Sequence, residues 1–304
     1  MRVGVRILPS AHWKTARHAW RLADDMGFEH AWTYDHVAWR ERLGSTWYAA
    51  MPTLAAAAGV TKRIRLGTLV SSPNFRHPVP FAKEIVTLDD LSDGRFILGL
   101  GAGSGGADAE VMGNEPWPAP ERTARFQEFV ELTDKLLRTE ITDHAGRYYG
   151  AKQACADPDG GTRARVPIAV AATGPRGMRT AVRHADIWVT NGHSPRPGVI
   201  APIASPDLVR EQIARLSLIC EAENRDPSTL RKLAHLGQDR SVLESAALFA
   251  EVATQYRDAG VTDLVVPFPD ERSGSQGDLK VLEQIASVEL PRPTCPDHVR
   301  DCGP

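Results

Sequence analysis

Residues Arg63 to Gly106 read RIRLGTLVSSPNFRHPVPFAKEIVTLDDLSDGRFILGLGAGSGG, and this stretch decides the fold. An apolar run from Ile64 to Val70 breaks at Ser71-Ser72-Pro73. Helical spacing of apolar residues follows from Pro78 to Leu91. Ser92-Asp93-Gly94 has the composition of a turn. A second apolar run, Phe96 to Leu100, then enters a segment with five glycines in eight residues, which makes it a loop. Neither run alternates apolar with polar side chains, so both faces of each strand are expected to be covered, as in a parallel sheet flanked by helices.

Working outward, the same strand-then-helix order recurs. The remaining strands are predicted at Arg2–Leu8, Phe28–Tyr34, Val166–Ala172, Asp186–Thr190, Leu230–Leu236 and Thr262–Pro267, with the Phe96 strand starting at Arg95. Helices are predicted at Thr15–Met26 with Ser10 as N-cap, Thr46–Gly59, Glu121–Arg138, Arg176–His184, Pro206–Asn224, Leu243–Ala259 and Asp278–Val288. Thr142–Tyr149 reads as a small hairpin around Ala145-Gly146. Eight parallel units with right-handed crossovers close into an α/β fold of the (β/α)8 TIM-barrel type, with insertions. The expected organisation is one domain over residues 1–290 and a poorly packed Pro-rich tail over 291–304.

Composition excludes several functions. The net charge is −2, with both signs interspersed, so nucleic acid is not an expected partner. No apolar run reaches the roughly 18 residues of a membrane span. The chain opens directly into a strand pattern, without the apolar core of a signal peptide. Cys155, Cys220, Cys295 and Cys302 form no metal-type spacing, which suits reduced thiols in a cytoplasmic protein. A Cys295–Cys302 bridge in the tail is the other reading.

In a barrel of this type the site lies where the strands end and loops begin. Those positions are His12 and Trp13, then Asp35, His36 and Trp39, then Ser71, Ser72 and Asn74. Further along come Ala102 to Asp108, Thr173-Gly174, Thr190 to His193, Gln238, and Phe268 with Asp270. This set lacks a G-x-S-x-G nucleophile and an H-E-x-x-H ligand pair, so neither a serine hydrolase nor a metal centre is expected. Glycines, small hydroxyls, histidines and tryptophans suit a flat aromatic cofactor that brings its own chemistry. Gly101-x-Gly103-x-x-Gly106 matches a dinucleotide fingerprint in form, but Gly113 and Pro116 interrupt the helix that a Rossmann site requires, and it follows the fourth strand. Asp35-His36 offers a proton-handling group at a strand end, or a loop histidine capped by its neighbour. His77 before Pro78 reads as a helix start, and Arg76 as an exposed side chain.

Three stretches resemble the luciferase-like flavin-dependent oxidoreductases, most closely the deazaflavin-using branch: Trp32-Thr33-Tyr34-Asp35-His36, Arg63 to Gly103, and Val170 to Gly192. The resemblance runs from Met1 to about Val288. It implies coenzyme F420 or FMN as cofactor, a small-molecule substrate, a homodimer, and a separate flavin reductase if FMN is used. It implies a non-proline cis peptide at or next to Leu69-Val70, behind the flavin ring. Asp35, Val70, Ser72 and Ala102, with Leu69 and Gly103 beside them, would line the ring, and His36 would face its reacting edge. Thr173-Gly174 and Thr190-Asn191-Gly192 would hold the ribityl phosphate. The glycines of 101–106 then read as room for the ring and its substrate, and His12, Trp13, Trp39 and Ser104 as candidate substrate contacts. Ser104 stands where sugar-phosphate dehydrogenases of this superfamily carry a glutamate, and Arg40 where they carry a tryptophan. The resemblance therefore does not extend to sugar-phosphate oxidation. A flavin-binding barrel without catalysis is the alternative from another class.

Overall fold

A computed structural model describes residues 1–39, 44–103, 107–156, 165–192, 205–236, 241–269 and 278–289. In chain order the elements are β1 (Arg2–Arg6), α1 (Trp13–Asp25), β2 (His30–Thr33), α2 (Ala50–Ala58), β3 (Arg65–Thr68), α3 (Pro78–Leu91) and β4 (Phe96–Gly101). Next come α4 (Ala107–Val111), α5 (Ala119–Leu136), β5 (Thr142–Ala145) and β6 (Gly150–Ala154). The chain continues through β7 (Ile168–Ala171), α6 (Pro175–His184), β8 (Ile187–Thr190), α7 (Pro206–Ala222), β9 (Arg231–His235), α8 (Ala246–Asp258), β10 (Asp263–Pro267) and α9 (Leu279–Glu289). Eight parallel strands close as β1-β2-β3-β4-β7-β8-β9-β10, with Arg2↔Asp263 through Arg6↔Pro267 sealing the barrel. The expected (β/α)8 architecture is what forms. The tail at 291–304, with its cysteines, lies outside the described residues.

Three local expectations are corrected. Helix α1 starts at Trp13 with His12 as its N-cap, whereas Ser10 is not the cap and its hydroxyl is buried without a partner. The hairpin is wider than expected: β5 pairs with β6 beyond Tyr149, so the turn spans residues 146–149. A short helix, α4, follows the glycine loop, where no helix was predicted.

The continuous apolar strands sort their side chains by parity. Val3, Val5, Leu66, Leu98 and Val170 face the helices in one large cluster. Trp32, Ile97, Ala169, Ile187, Val189, Leu233 and Val265 fill the barrel interior in another. The interior is therefore packed, and open space is left only towards one end.

The other end, where the strands begin, is closed by a polar knot around Asp263, which is fully buried. Its carboxylate accepts from Arg2 Nε at 2.8 Å, from Thr262 Oγ1 at 2.6 Å and from Arg231, and lies 3.3 Å from His30 Nε2. Burial pushes the Asp263 pKa up, but the bonds from His30, Arg2 and Arg231 outweigh it and hold the group well below the usual carboxylate range.

The β3–β4 seam carries the irregularity that shapes the site. Gly67 pairs with Ile97, but the next bridge joins Ser71 to Leu100, so β3 takes four steps where β4 takes three. The extra residue makes a bulge, and the Leu69–Val70 peptide within it is cis, where the resemblance implied it. The facing glycines make room for this bulge. A Cβ on Gly99 would lie 1.8 Å from the Thr68 carbonyl oxygen, and one on Gly101 would lie 2.3 Å from Val70 Cγ2. The space that a Cβ on Gly101 would take is thus filled by Val70. Gly99→Ala meets backbone, so it is expected to destabilise the protein by about 1–3 kcal/mol, measured as a lower urea midpoint at unchanged m-value.

Candidate active site

At the C-terminal ends of the strands lies a cavity of about 670 Å3. Its apolar wall comes from Leu69 and Val70 of the bulge, Gly101 and Ala102 at the end of β4, Ala171 and Ala172 at the end of β7, and Val189 on β8. Tyr34, His36 and Trp39 follow β2, and His235 ends β9. Arg122, Thr123 and Phe126 reach it from α5, and Thr173 to Gly177 border it at the start of α6. Among the described residues that line it there is no Asp or Glu, and there are two arginines. The described part of the lining therefore carries positive charge.

His36, Trp39, Leu69, Val70, Ser72, Ala102, Gly103, Thr173, Gly174, Thr190 and Asn191 all line this one cavity. Asp35, Gly192, His12 and Trp13 do not, and Ser104, Arg40, His193, Gln238 and Asp270 lie outside the described residues. Each exception has a physical cause. His12 and Trp13 are exposed at the start of α1, with His12 Nδ1 at 2.6 Å from the Tyr48 hydroxyl. Gly192, with φ +67°, turns the chain so that its N–H donates to Thr190 Oγ1 at 3.0 Å, while that hydroxyl donates to Gln212 of α7 at 2.6 Å.

Asp35 is buried behind the wall. It accepts from Ser71 Oγ at 2.5 Å and from Arg76 through Nε at 2.7 Å and Nη2 at 3.0 Å. Arg76 also donates to Glu84 at 2.8 Å and stacks on Phe81, 4.4 Å from the ring centroid. The expectation of an exposed Arg76 is overturned: burial pushes its pKa down, but Asp35 and Glu84 outweigh this and raise it. A bidentate arginine–carboxylate pair fixes both planar groups. Here it clamps the loop after β3 to the end of β2, and holds the bulge in register. His77 caps α3 by accepting from Val79 N at 3.3 Å, as expected.

His36 has a partner that sequence order hides. Its Nδ1 lies 2.9 Å from Asp108 Oδ2, on α4. Asp108 is itself buried, and its Oδ1 accepts from Val37 N at 2.8 Å and Ala38 N at 3.0 Å. Burial pushes the Asp108 pKa up, but the bonds from His36, Ala38 and Val37 hold it below the usual carboxylate range. An ionised Asp108 fixes the proton of neutral His36 on Nδ1, leaving Nε2 as an acceptor that can take and return a proton. The ring is buttressed by Tyr34, edge-on at 6.3 Å, and by Trp47, whose Nε1 donates to the His36 carbonyl at 3.0 Å.

The start of α6 is built for an anion. Gly174 is its N-cap without a side-chain cap, Pro175 occupies the first turn, and Gly177 lets the helix press on Ala172, where a Cβ would come within 2.9 Å of the Ala172 Cβ. Uncapped first-turn amides and the helix dipole favour a phosphate there. An apolar slot, a proton-handling histidine and an anion cradle are the donor set a phosphorylated flavin or deazaflavin requires, so the residues present fit such a group.

Tyr34, His235, Arg122, Thr123, Phe126 and Arg176 were not picked out from sequence as site residues, and Asp108 was picked out only as a loop position, without its pairing to His36. Parity would have found Tyr34, two residues on from the interior Trp32, and His235, two on from Leu233. Nothing local marks the α5 residues, whose place depends on how that helix docks.

The sequence matches the family model described as luciferase-like monooxygenase over residues 1–236. It is 39% identical over 173 residues to an F420-dependent glucose-6-phosphate dehydrogenase of Beutenbergia cavernae, covering 55% of this chain and 49% of that protein. It is 34% identical over 180 residues to a 4-hydroxyprotoasukamycin monooxygenase of Streptomyces nodosus subsp. asukaensis, covering 58% of this chain and 46% of the relative. The aligned part thus spans about half the length of these relatives. The fold superimposes on the coenzyme F420-dependent tetrahydromethanopterin reductase of Methanopyrus kandleri with a TM-score of 0.72 at 20% identity, covering 93% of this chain and 97% of that one. The bulged third strand, the cavity it walls and a match over most of the sequence agree, and the chain belongs to the luciferase-like monooxygenase family.

Proposed function

We propose that the protein is a coenzyme F420-dependent oxidoreductase that passes a hydride between C5 of the deazaflavin and a small organic substrate. The observation that carries this reading is the Asp108-held His36 at the cavity that the Leu69-Val70 bulge walls. Similarity to a dehydrogenase named for F420 supports the choice of cofactor.

Leu69, Val70 and Ala102 would hold the flat ring, and Thr173, Gly174, Thr190 and Asn191 its phosphate arm. When bound, the deazaflavin supplies a carbon that accepts or gives a hydride but does not activate oxygen. His36 Nε2 would take the proton from the substrate oxygen as the carbon bearing it gives up hydride, and would return a proton to that oxygen in the reverse direction. Asp108 stabilises the imidazolium formed when it does so, and Trp39 and Phe126 keep water from the site. The cytoplasm and a homodimer complete the proposed setting. No helix among the described residues is long and apolar enough to cross a membrane.

The second reading, oxygenation with reduced FMN supplied by a separate reductase, is favoured by the likeness to a named monooxygenase. Titration of the purified protein with F420 and FMN, each oxidised and reduced, separates the two. Saturable F420 binding with hydride exchange supports the proposal, and binding of FMN alone overturns it. Binding of either without turnover of any substrate points to a barrel that carries flavin but does no chemistry.

A further inference from the structure

Arg6 is the last residue of β1, and its side chain lies inside the barrel, directly under the inner end of the cavity. It is 5% exposed. Its Nη1 donates to the Tyr34 hydroxyl at 3.3 Å, and its guanidinium carbon sits 5.1 Å from the Tyr34 ring centroid. Its Nε is buried without a partner. Among the described residues no carboxylate pairs with it, unlike Arg76, Arg165 and Arg231, each of which meets an aspartate. A buried guanidinium without a counter-charge is costly, and proteins keep such a group where an anion completes it.

The groups above Arg6 point to where that anion sits. Tyr34 and His235 both line the cavity, and the Tyr34 oxygen lies 3.5 Å from His235 Nε2. Arg6 occupies a lone pair of the Tyr34 oxygen, so that hydroxyl acts as a donor polarised by a cation behind it. Such an arrangement is suited to a negatively charged oxygen placed at Tyr34 and His235. Trp39, edge-on to Tyr34 at 5.5 Å, gives the same end an apolar side. The phosphate cradle at α6 is a separate part of the lining, built from Thr173 to Gly177.

We propose that Arg6, acting through Tyr34 and His235, makes the inner end of the cavity a subsite for a carboxylate of the substrate, so that the enzyme works on a small organic acid. The proposal rests on reading this cavity as the active site. It does not depend on which flavin occupies the rest of it.

The test uses the full-length protein and two probes of matched shape, benzoate and benzamide, titrated with and without F420 and followed by tryptophan fluorescence. Wild type is expected to bind benzoate about tenfold or more tighter than benzamide, the factor that one charge-assisted hydrogen bond supplies. Arg6→Met is expected to abolish that preference, and Tyr34→Phe to reduce it, with the F420 titration of Arg6→Met close to wild type. A preference lost in Tyr34→Phe supports the subsite even where Arg6→Met fails to fold. Equal affinity of the two probes for wild type, or a preference kept in both variants, overturns it. An Arg6 already neutralised by a carboxylate of this chain gives no benzoate preference and a lower melting temperature for Arg6→Met, which also overturns it. If F420 fails to bind while the benzoate preference stands, the cofactor reading falls and the subsite remains.

Discussion

His36→Ala lowers kcat by a factor of about 10²–10⁴, the range that one general acid–base group contributes. The fold is unaffected, because His36 is part-exposed and makes no core contact that a smaller side chain would break. The loss is expected in kcat rather than in F420 affinity, because the wall residues, not His36, hold the ring. Asp108→Asn separates positioning from proton transfer. An amide nitrogen facing His36 Nδ1 favours the other tautomer, so activity falls while the imidazole stays in place, and the alkaline and acid limbs of the pH–rate profile move. If His36 only filled space, Asp108→Asn would leave that profile where it was. Stopped-flow hydride transfer between F420 and substrate across pH reads both variants.

Asp263→Asn is the largest expected loss of stability. Asp263 is the buried acceptor for Arg2, Arg231 and His30, and removing its charge leaves the two arginines facing one another at the closed end of the barrel. Breaking a buried pair in this way costs about 3–5 kcal/mol. The pH dependence follows from the same group. Its folded pKa is depressed, so its contribution is complete above the ordinary carboxylate value near about 4 and is lost as pH falls below it. Urea unfolding at neutral and acid pH should show this acid limb in wild type, and a shallower one in the variant. Equal slopes in the two proteins would place the acid sensitivity elsewhere. Because the knot lies at the end away from the cavity, F420 affinity of the folded variant is expected to stay near wild type.

The parts legible in sequence were those set by local pattern. Strand–helix alternation specified the barrel, since a run such as Phe96 to Leu100 can be buried on both faces only in a parallel sheet. The break after Val70 marked the end of the third strand, because two serines and a proline stop the apolar run, whereas the bulge there was implied by the family resemblance. The parts missed depend on contacts between distant segments. His36 and Asp108 are 72 residues apart, and no spacing rule joins them. The resemblance put Asp35 against the ring, but the direction of its side chain is set by Arg76, which was read as exposed. The glycines of 101–106 were read as room for the ring and its substrate; Gly101 and Gly103 do line the cavity, but at Gly101 Val70 fills the space a Cβ would take. Sequence shows that a side chain is absent there. Only the fold shows what occupies the room.

The central claim is that the cavity walled by Leu69 and Val70 is the seat of a deazaflavin. A crystal structure of the F420 complex tests it most directly. The account predicts the ring against the Leu69-Val70 bulge, the phosphate at Thr173-Gly174 and the start of α6, and His36 Nε2 facing the reacting edge. F420 bound outside this cavity, or a ring whose reacting edge is turned away from His36, would contradict it.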